Sequence, residues 1–107
     1  MRKHRTQEDI IADILLIDRE EPKKTHIMYG ANLSYALLCK YLDKLVVAGL
    51  VRYRANDMIF ELTQRGRAYL DSYVEYERLR SQLEAGKSRL GEKEAVLTGI
   101  LEVDSDG

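Results

Sequence analysis

Between Gly49 and Thr63 the side-chain pattern switches from helical to strand-like and back, and this switch restricts the chain more than any other feature. Upstream, Leu38, Leu42 and Leu45 recur on one helical face, and Gly49 is placed to stop that helix. In between, Leu50-Val51-Arg52-Tyr53-Arg54 alternates apolar and basic side chains, and Met58-Ile59-Phe60-Glu61-Leu62 is rich in strand formers. Ala55-Asn56-Asp57 separates the two, with Asn or Asp suited to a left-handed turn residue. The expectation is a β-hairpin set into an otherwise helical chain.

The helices before the hairpin are marked by their ends. Thr6 with Asp9 three residues on has the form of a capping box, followed by Ile10, Ile14 and Ile17 on one face and Ile11 beside them. Leu15 and Leu16 widen that apolar surface, and Pro22 closes the segment. Residues from Lys23 to Gly30 fit a short second helix, with Thr25 as a cap and Gly30 supplying a positive φ at its end. Ser34 is an N-cap for a third helix from about Tyr35 to Ala48. The order helix, helix, helix, hairpin, helix gives a fold that is mainly α with a small β-hairpin. It is a winged helix-turn-helix followed by a long C-terminal dimerisation helix.

That last helix starts at Gln64, capped by Thr63. Tyr69, Tyr73, Tyr76, Leu79, Leu83 and Leu90 follow at helical spacings, more apolar surface than a domain of this size covers. An identical helix is the simplest partner, so a homodimer joined through a coiled coil is expected. The heptad position of Tyr69, Tyr76, Leu83, Leu90 and Leu97 is apolar throughout, but its complement holds Ser72, Leu79, Gly86 and Lys93. Each of Gly86 and Gly91 weakens a helix by ~1 kcal/mol, so order is expected to fade beyond about residue 90. The implied division is a DNA-binding domain at 1–66, a dimerisation helix at 67–91, and a weakly ordered acidic tail at 92–107, with a short further helix near Ala95–Leu101.

Composition narrows the function class. No apolar run approaches the ~20 residues of a membrane span, and the opening residues lack the pattern of a secretory signal. Cys39 stands alone, and His4 and His26 have no ligand partners at metal spacing, so neither a metal nor a cofactor is expected. No Gly-rich phosphate loop, nucleophile elbow or acid pair occurs, which argues against an enzyme. The reading is a cytoplasmic protein. Residues 1–68 carry 12 Lys/Arg against 9 Asp/Glu, a net of +3, and residues 69–107 carry 5 against 9, a net of −4. The basic excess therefore lies where the helix-turn-helix is predicted, which permits contact with nucleic acid.

Particular residues carry a resemblance. Asn32-Leu33-Ser34-Tyr35, Tyr41-Leu42-Asp43-Lys44-Leu45 and Gly49-Leu50-Val51 resemble the archaeal winged helix-turn-helix family that includes dimeric chromatin-associated proteins with a coiled-coil tail. Lys24-Thr25-His26-Ile27-Met28-Tyr29 and Leu62-Thr63-Gln64-Arg65-Gly66 are similar to its second helix and its wing-to-helix junction. The likeness spans roughly residues 6 to 80 and implies a DNA-binding homodimer, a transcriptional regulator or a nucleoid protein. The chain departs from it at Ala36, Leu37 and Cys39, which are apolar for a DNA-reading helix, and in its glycine-bearing, acidic tail.

The candidate DNA contacts follow from this layout. The third helix would present Ser34, Tyr35, Ala36, Leu37, Lys40 and Lys44 to the major groove. Arg52 and Arg54 project from one side of a strand, with Asn56 at the tip, and suit phosphate or the minor groove. Lys23 and Lys24 would hold phosphate at the start of the second helix, and Arg2, Lys3 and Arg5 would form a flexible basic arm. Tyr69, Tyr73, Tyr76, Leu79, Leu83 and Leu90 are the candidate dimer interface. The alternative is a protein–protein interaction module of the same fold that binds a protein partner and no DNA, suggested by the overall acidic balance and the outward Leu37 and Val47.

Overall fold

The computed structural model describes residues 4–20 and 23–103, and its contacts divide the chain into two units, Met1–Tyr73 and Val74–Gly107. The first contains α1 (Gln7–Asp18), α2 (Lys24–Gly30), α3 (Tyr35–Val47), β1 (Val51–Arg54), β2 (Ile59–Leu62) and the opening turns of α4 (Gln64–Val103). Both α1 caps form as expected: Thr6 Oγ1 accepts from the Asp9 amide at 3.2 Å, and the Thr6 amide donates to Asp9 Oδ2 at 3.0 Å. Arg5 is not part of a free arm. Its guanidinium donates to the Ala31 and Asn32 carbonyls at 2.6 and 3.0 Å and pairs with Asp13 at 3.1 Å. Carbonyls at a helix end lack partners of their own, and Arg5 supplies them. Arg2, Lys3 and Pro22 lie outside the described residues.

Two local expectations for α2 change. Lys23, without a side-chain bond, occupies the N-cap, and Thr25 falls within the first turn. Gly30 stays helical, and Asn32 takes the left-handed conformation at φ 53°. The glycine is needed for space instead, because a Cβ there would lie 2.7 Å from Ile17 Cδ1. Lys23 also bridges Ile59, which fastens the start of α2 beside β2.

The ends of α3 form as read. Ser34 Oγ accepts from the Leu37 amide at 3.2 Å, and Gly49 at φ 79° lets the Leu50 amide reach the Leu45 carbonyl at 2.9 Å. β1 and β2 then pair antiparallel, with Val51 opposite Leu62, Arg52 opposite Glu61, Tyr53 opposite Phe60 and Arg54 opposite Ile59. The left-handed residue of the turn is Met58, at φ 56°, rather than Asn56 or Asp57. The Arg54–Ile59 pair encloses the turn residues 55–58, of which Met58 is the last.

Leu38, Leu42 and Leu45 of α3 meet Ile11, Ile14 and Leu15 of α1, Ile27 of α2, and Val51, Phe60 and Leu62 of the hairpin in one buried cluster. The opening of α4 is held to this core at several points. Thr63 Oγ1 donates to the Gly49 carbonyl at 2.6 Å and accepts from the Gly66 amide at 3.0 Å, while Arg65 Nε donates to the Ala48 carbonyl at 2.9 Å. At Gly66 a Cβ would stand 2.3 Å from the Leu50 carbonyl oxygen, so no larger residue fits. Leu70 is buried, and the Tyr73 hydroxyl donates to the buried carboxylate of Asp9.

The second unit contains the remainder of α4. The helix runs unbroken for 40 residues to Val103, passing Gly86 and Gly91, so the predicted fading near residue 90 and the separate helix at Ala95–Leu101 are not found. The cost of a glycine is local, and each added residue of a formed helix contributes its own hydrogen bond. Glu75–Arg78, Glu77–Arg80 and Glu84–Lys87 pairs at i,i+3 spacing add support along the solvent face. The acidic residues from Asp104 onward lie outside the described part.

Candidate nucleic-acid interface

α3 turns its core face inward, which leaves Ser34, Tyr35, Ala36, Leu37, Lys40 and Lys44 exposed together, as the sequence predicts. Lys40 and Lys44 have no ion pair among the described residues, so their charge is open to a ligand. Ser34 Oγ is committed to the cap, and Asp43 interrupts the basic run between the two lysines.

Lys24 and Tyr35 form one cluster instead of two separate contacts. Lys24 Nζ lies 4.8 Å from the Tyr35 ring centre and donates to the hydroxyl at 3.4 Å. Hydrogen bonding to the Cys39 thiol, the largest cause, and to the Tyr35 hydroxyl raises the Lys24 ammonium above the usual lysine value, against an opposing desolvation. The lysine thus stays charged at the seam of α2 and α3, where sequence reading placed it but could not see its aromatic partner. Lys23 beside it is exposed.

The hairpin sorts its side chains by face. Arg52 and Arg54 do project together, yet Glu61 stands between them, 2.8 Å from Arg52 and 3.3 Å from Arg54, and Asp57 takes Arg54 at 2.6 Å. Sequence reading missed Glu61, although a hairpin of this register sets it opposite Arg52. Asn56 is exposed at the tip. The other face carries Tyr53 against Phe60, ring centres 4.8 Å apart, and Met58. With Val46 and Val47 of α3 and Lys23 and Lys24 of α2 they line a groove of about 700 Å³. Val47 is 88% exposed and Met58 62%, an apolar surface that the alternating pattern of β1 did not reveal.

The predicted dimer residues divide between the two units. Tyr69 and Tyr73 pack against the core of their own chain, which removes most of their surface from a partner. Tyr76, Leu79, Leu83 and Leu90 remain exposed along α4, with the Arg80 guanidinium 5.3 Å from the Tyr76 ring centre. Asp18, read from sequence only as part of a helix end, is fully buried. Neither of its carboxylate oxygens has a partner among the described residues, and burial pushes its pKa up from 3.8 to about 7. Its spacing of four from Ile14 was the available signal, since it continues the core face of α1. Among the described residues no group of His, Cys, Asp and Glu is placed to hold a metal, and no helix is long and apolar enough to cross a membrane.

A family model described as winged helix-turn-helix matches residues 4–81. An uncharacterized protein of Methanocaldococcus jannaschii is 40% identical over 75 residues, which cover 69% of this chain and 75% of the relative. Among solved structures, Sso10a-2, a DNA-binding protein from Sulfolobus solfataricus, superposes with a TM-score of 0.75 at 28% identity, covering 82% of this chain and 95% of that one.

Proposed function

The chain belongs to the winged helix-turn-helix family, of archaeal kind, and we propose that it is a double-stranded-DNA-binding protein acting as a homodimer. The observation that carries this reading is the exposed basic face of α3, where Lys40 and Lys44 have no ion pair among the described residues, together with Lys23 and Lys24 at the start of α2. Helix N-terminal lysines and a projecting third helix suit phosphate and major-groove contact respectively. The likeness to a solved DNA-binding protein supports it. Phosphate neutralisation dominates binding, and Arg52 and Arg54 contribute less than their number suggests because Glu61 already holds them.

The exposed stripe of Tyr76, Leu79, Leu83 and Leu90 supports dimerisation through α4. The role is that of a transcriptional regulator or nucleoid-associated protein rather than an enzyme, located in the cytoplasm with the nucleoid. The test is fluorescence anisotropy of a labelled mixed-sequence duplex at low and near-physiological salt. Saturable binding whose log affinity falls with log salt at about −0.9 per phosphate contacted is expected.

A second reading has its own observation. The groove formed by Val46, Val47, Tyr53 and Met58 is an apolar surface of the kind that docks proteins. Absence of DNA binding at low salt would move a protein–protein module ahead.

A further inference from the structure

We propose that the groove between α3, the start of α2 and the base of the hairpin is an effector site for a free aromatic α-amino acid. Lys23 holds its carboxylate, Asp43 holds its ammonium, and its ring lies on Val46, Val47 and Tyr53. The site stands independently of DNA; its regulatory consequence rests on the DNA-binding reading, because Lys23 serves both ligands. The groove encloses about 700 Å³, within the roughly 300–1,000 Å³ of small-molecule sites. Such sites are mostly apolar with a few polar groups that fix orientation, and this lining has that composition.

The charges of the groove select the ligand's head. Lys23 and Asp43 line it with opposite sign, both are exposed, and neither has an ion pair or side-chain hydrogen bond among the described residues, with each other or with any third group. Lys24 also lines the groove, but its ammonium turns to the ring and hydroxyl of Tyr35, which leaves Lys23 to receive an anion. A simple acid would satisfy Lys23 and meet repulsion at Asp43, and a simple amine would do the reverse. An occupant carrying both charges satisfies the two together, and the α-amino acid head group is the smallest that does so.

The floor selects the ligand's body. Val46, Val47 and Tyr53 keep exposed apolar surface in the groove. The rings of Tyr53 and Phe60 lie 4.8 Å apart and tilted by 44°. A third ring set against Tyr53 extends this tilted arrangement, a gain beyond the area it covers, whereas an aliphatic side chain gains the area alone. Occupancy has a consequence for DNA. A carboxylate on Lys23 neutralises one of the charges offered to phosphate, which should make the salt slope of duplex binding shallower by about 0.9. The amino acid therefore acts as a signal that loosens the protein from DNA.

The experiment titrates the full chain by calorimetry with L-phenylalanine, with phenylacetate, which lacks the ammonium, and with phenethylamine, which lacks the carboxylate. Phenylalanine should saturate with a Kd on the order of 0.1–1 mM, as suits a small ligand in an open groove, and the other two should bind several-fold more weakly. Lys23→Ala should weaken phenylalanine and phenylacetate by roughly three- to tenfold and leave phenethylamine unchanged. Asp43→Asn should weaken phenylalanine and phenethylamine and leave phenylacetate unchanged. Both side chains are exposed, so the variants keep the fold. No saturation by phenylalanine, or equal weakening of all three ligands by either variant, overturns the site. Binding of a short apolar peptide but not of the free amino acid also overturns it and gives the groove to a protein segment. With saturating phenylalanine, duplex binding by wild type should weaken several-fold, and Asp43→Asn should need far more ligand for the same effect. Unchanged duplex affinity overturns the effector role while leaving the site. No duplex binding at low salt overturns the DNA-binding reading and the effector role with it, and calorimetry still decides the site.

Discussion

Replacing Asp18 by Asn changes how stability depends on pH. The carboxylate is fully buried at the end of α1 without a partner among the described residues, and its pKa rises from 3.8 to about 7. Between those values the folded chain holds a proton that the unfolded chain has released. Unfolding free energy therefore falls as pH rises through the window from about 4 to 7, and is flat above it. A shift of about three units corresponds to a ceiling of roughly 4 kcal/mol at 1.36 kcal/mol per unit, reduced to the extent that water reaches the charged group. Asparagine has nearly the same shape and is neutral throughout. Urea denaturation at fixed protein concentration, from pH 4.5 to 8.5, should give the smallest difference between wild type and Asp18→Asn near pH 4.5, where only about 1 kcal/mol of the effect has developed. The variant should become progressively more stable, by several kcal/mol, near pH 8. Other titrating groups cancel in the difference between the two proteins. Two curves that stay parallel across the range would refute the argument, because they would mean that Asp18 is ionised and solvated in the folded state.

Lys40→Ala with Lys44→Ala should weaken duplex binding, reduce the magnitude of the salt slope by up to about 1.8 if both contact phosphate, and leave the proposed dimer unchanged; unaltered affinity removes α3 from the interface. Leu79→Glu with Leu83→Glu should convert the protein to a monomer in sedimentation velocity at micromolar concentration, since both side chains lie exposed on α4, and a persisting dimer would place the interface elsewhere. Glu61→Gln should release Arg52, while Asp57 keeps its hold on Arg54, and steepen the salt dependence of DNA binding, an outcome read from titrations at several salt concentrations. No change on removing Glu61 would mean that Arg52 does not meet phosphate.

Features written in neighbouring residues were legible in the sequence. The Thr6–Asp9 box, the Ser34 cap and the Gly49 stop each need only side chains within a few positions, and all three form. The hairpin was legible from alternation and strand formers alone. What escaped depends on packing between distant segments. Arg5 reads as a terminal basic residue until the α2 carbonyls close around it. Tyr69 and Tyr73 share a heptad-like spacing with Leu83, but the core of their own chain claims them first. The left-handed position fell to Met58 against local preference, because strand pairing fixes where the turn closes. Of the candidate site, the exposed lysines of α3 and the basic start of α2 were legible, while the Glu61 clasp and the apolar groove required the tertiary structure.

Asp9 accepts from the Thr6 amide through one oxygen and from the Tyr73 hydroxyl, 64 positions away, through the other. One buried carboxylate thus fastens the first turn of the first helix to the last helix of the same unit. Opening either helix strips a partner from a charge held out of water, so the two should open together as one cooperative step. In amide hydrogen exchange, residues near Ile10 and residues near Tyr73 should then share a single opening free energy. A fragment that stops short of Tyr73 should lose protection at its amino terminus, far in sequence from the cut.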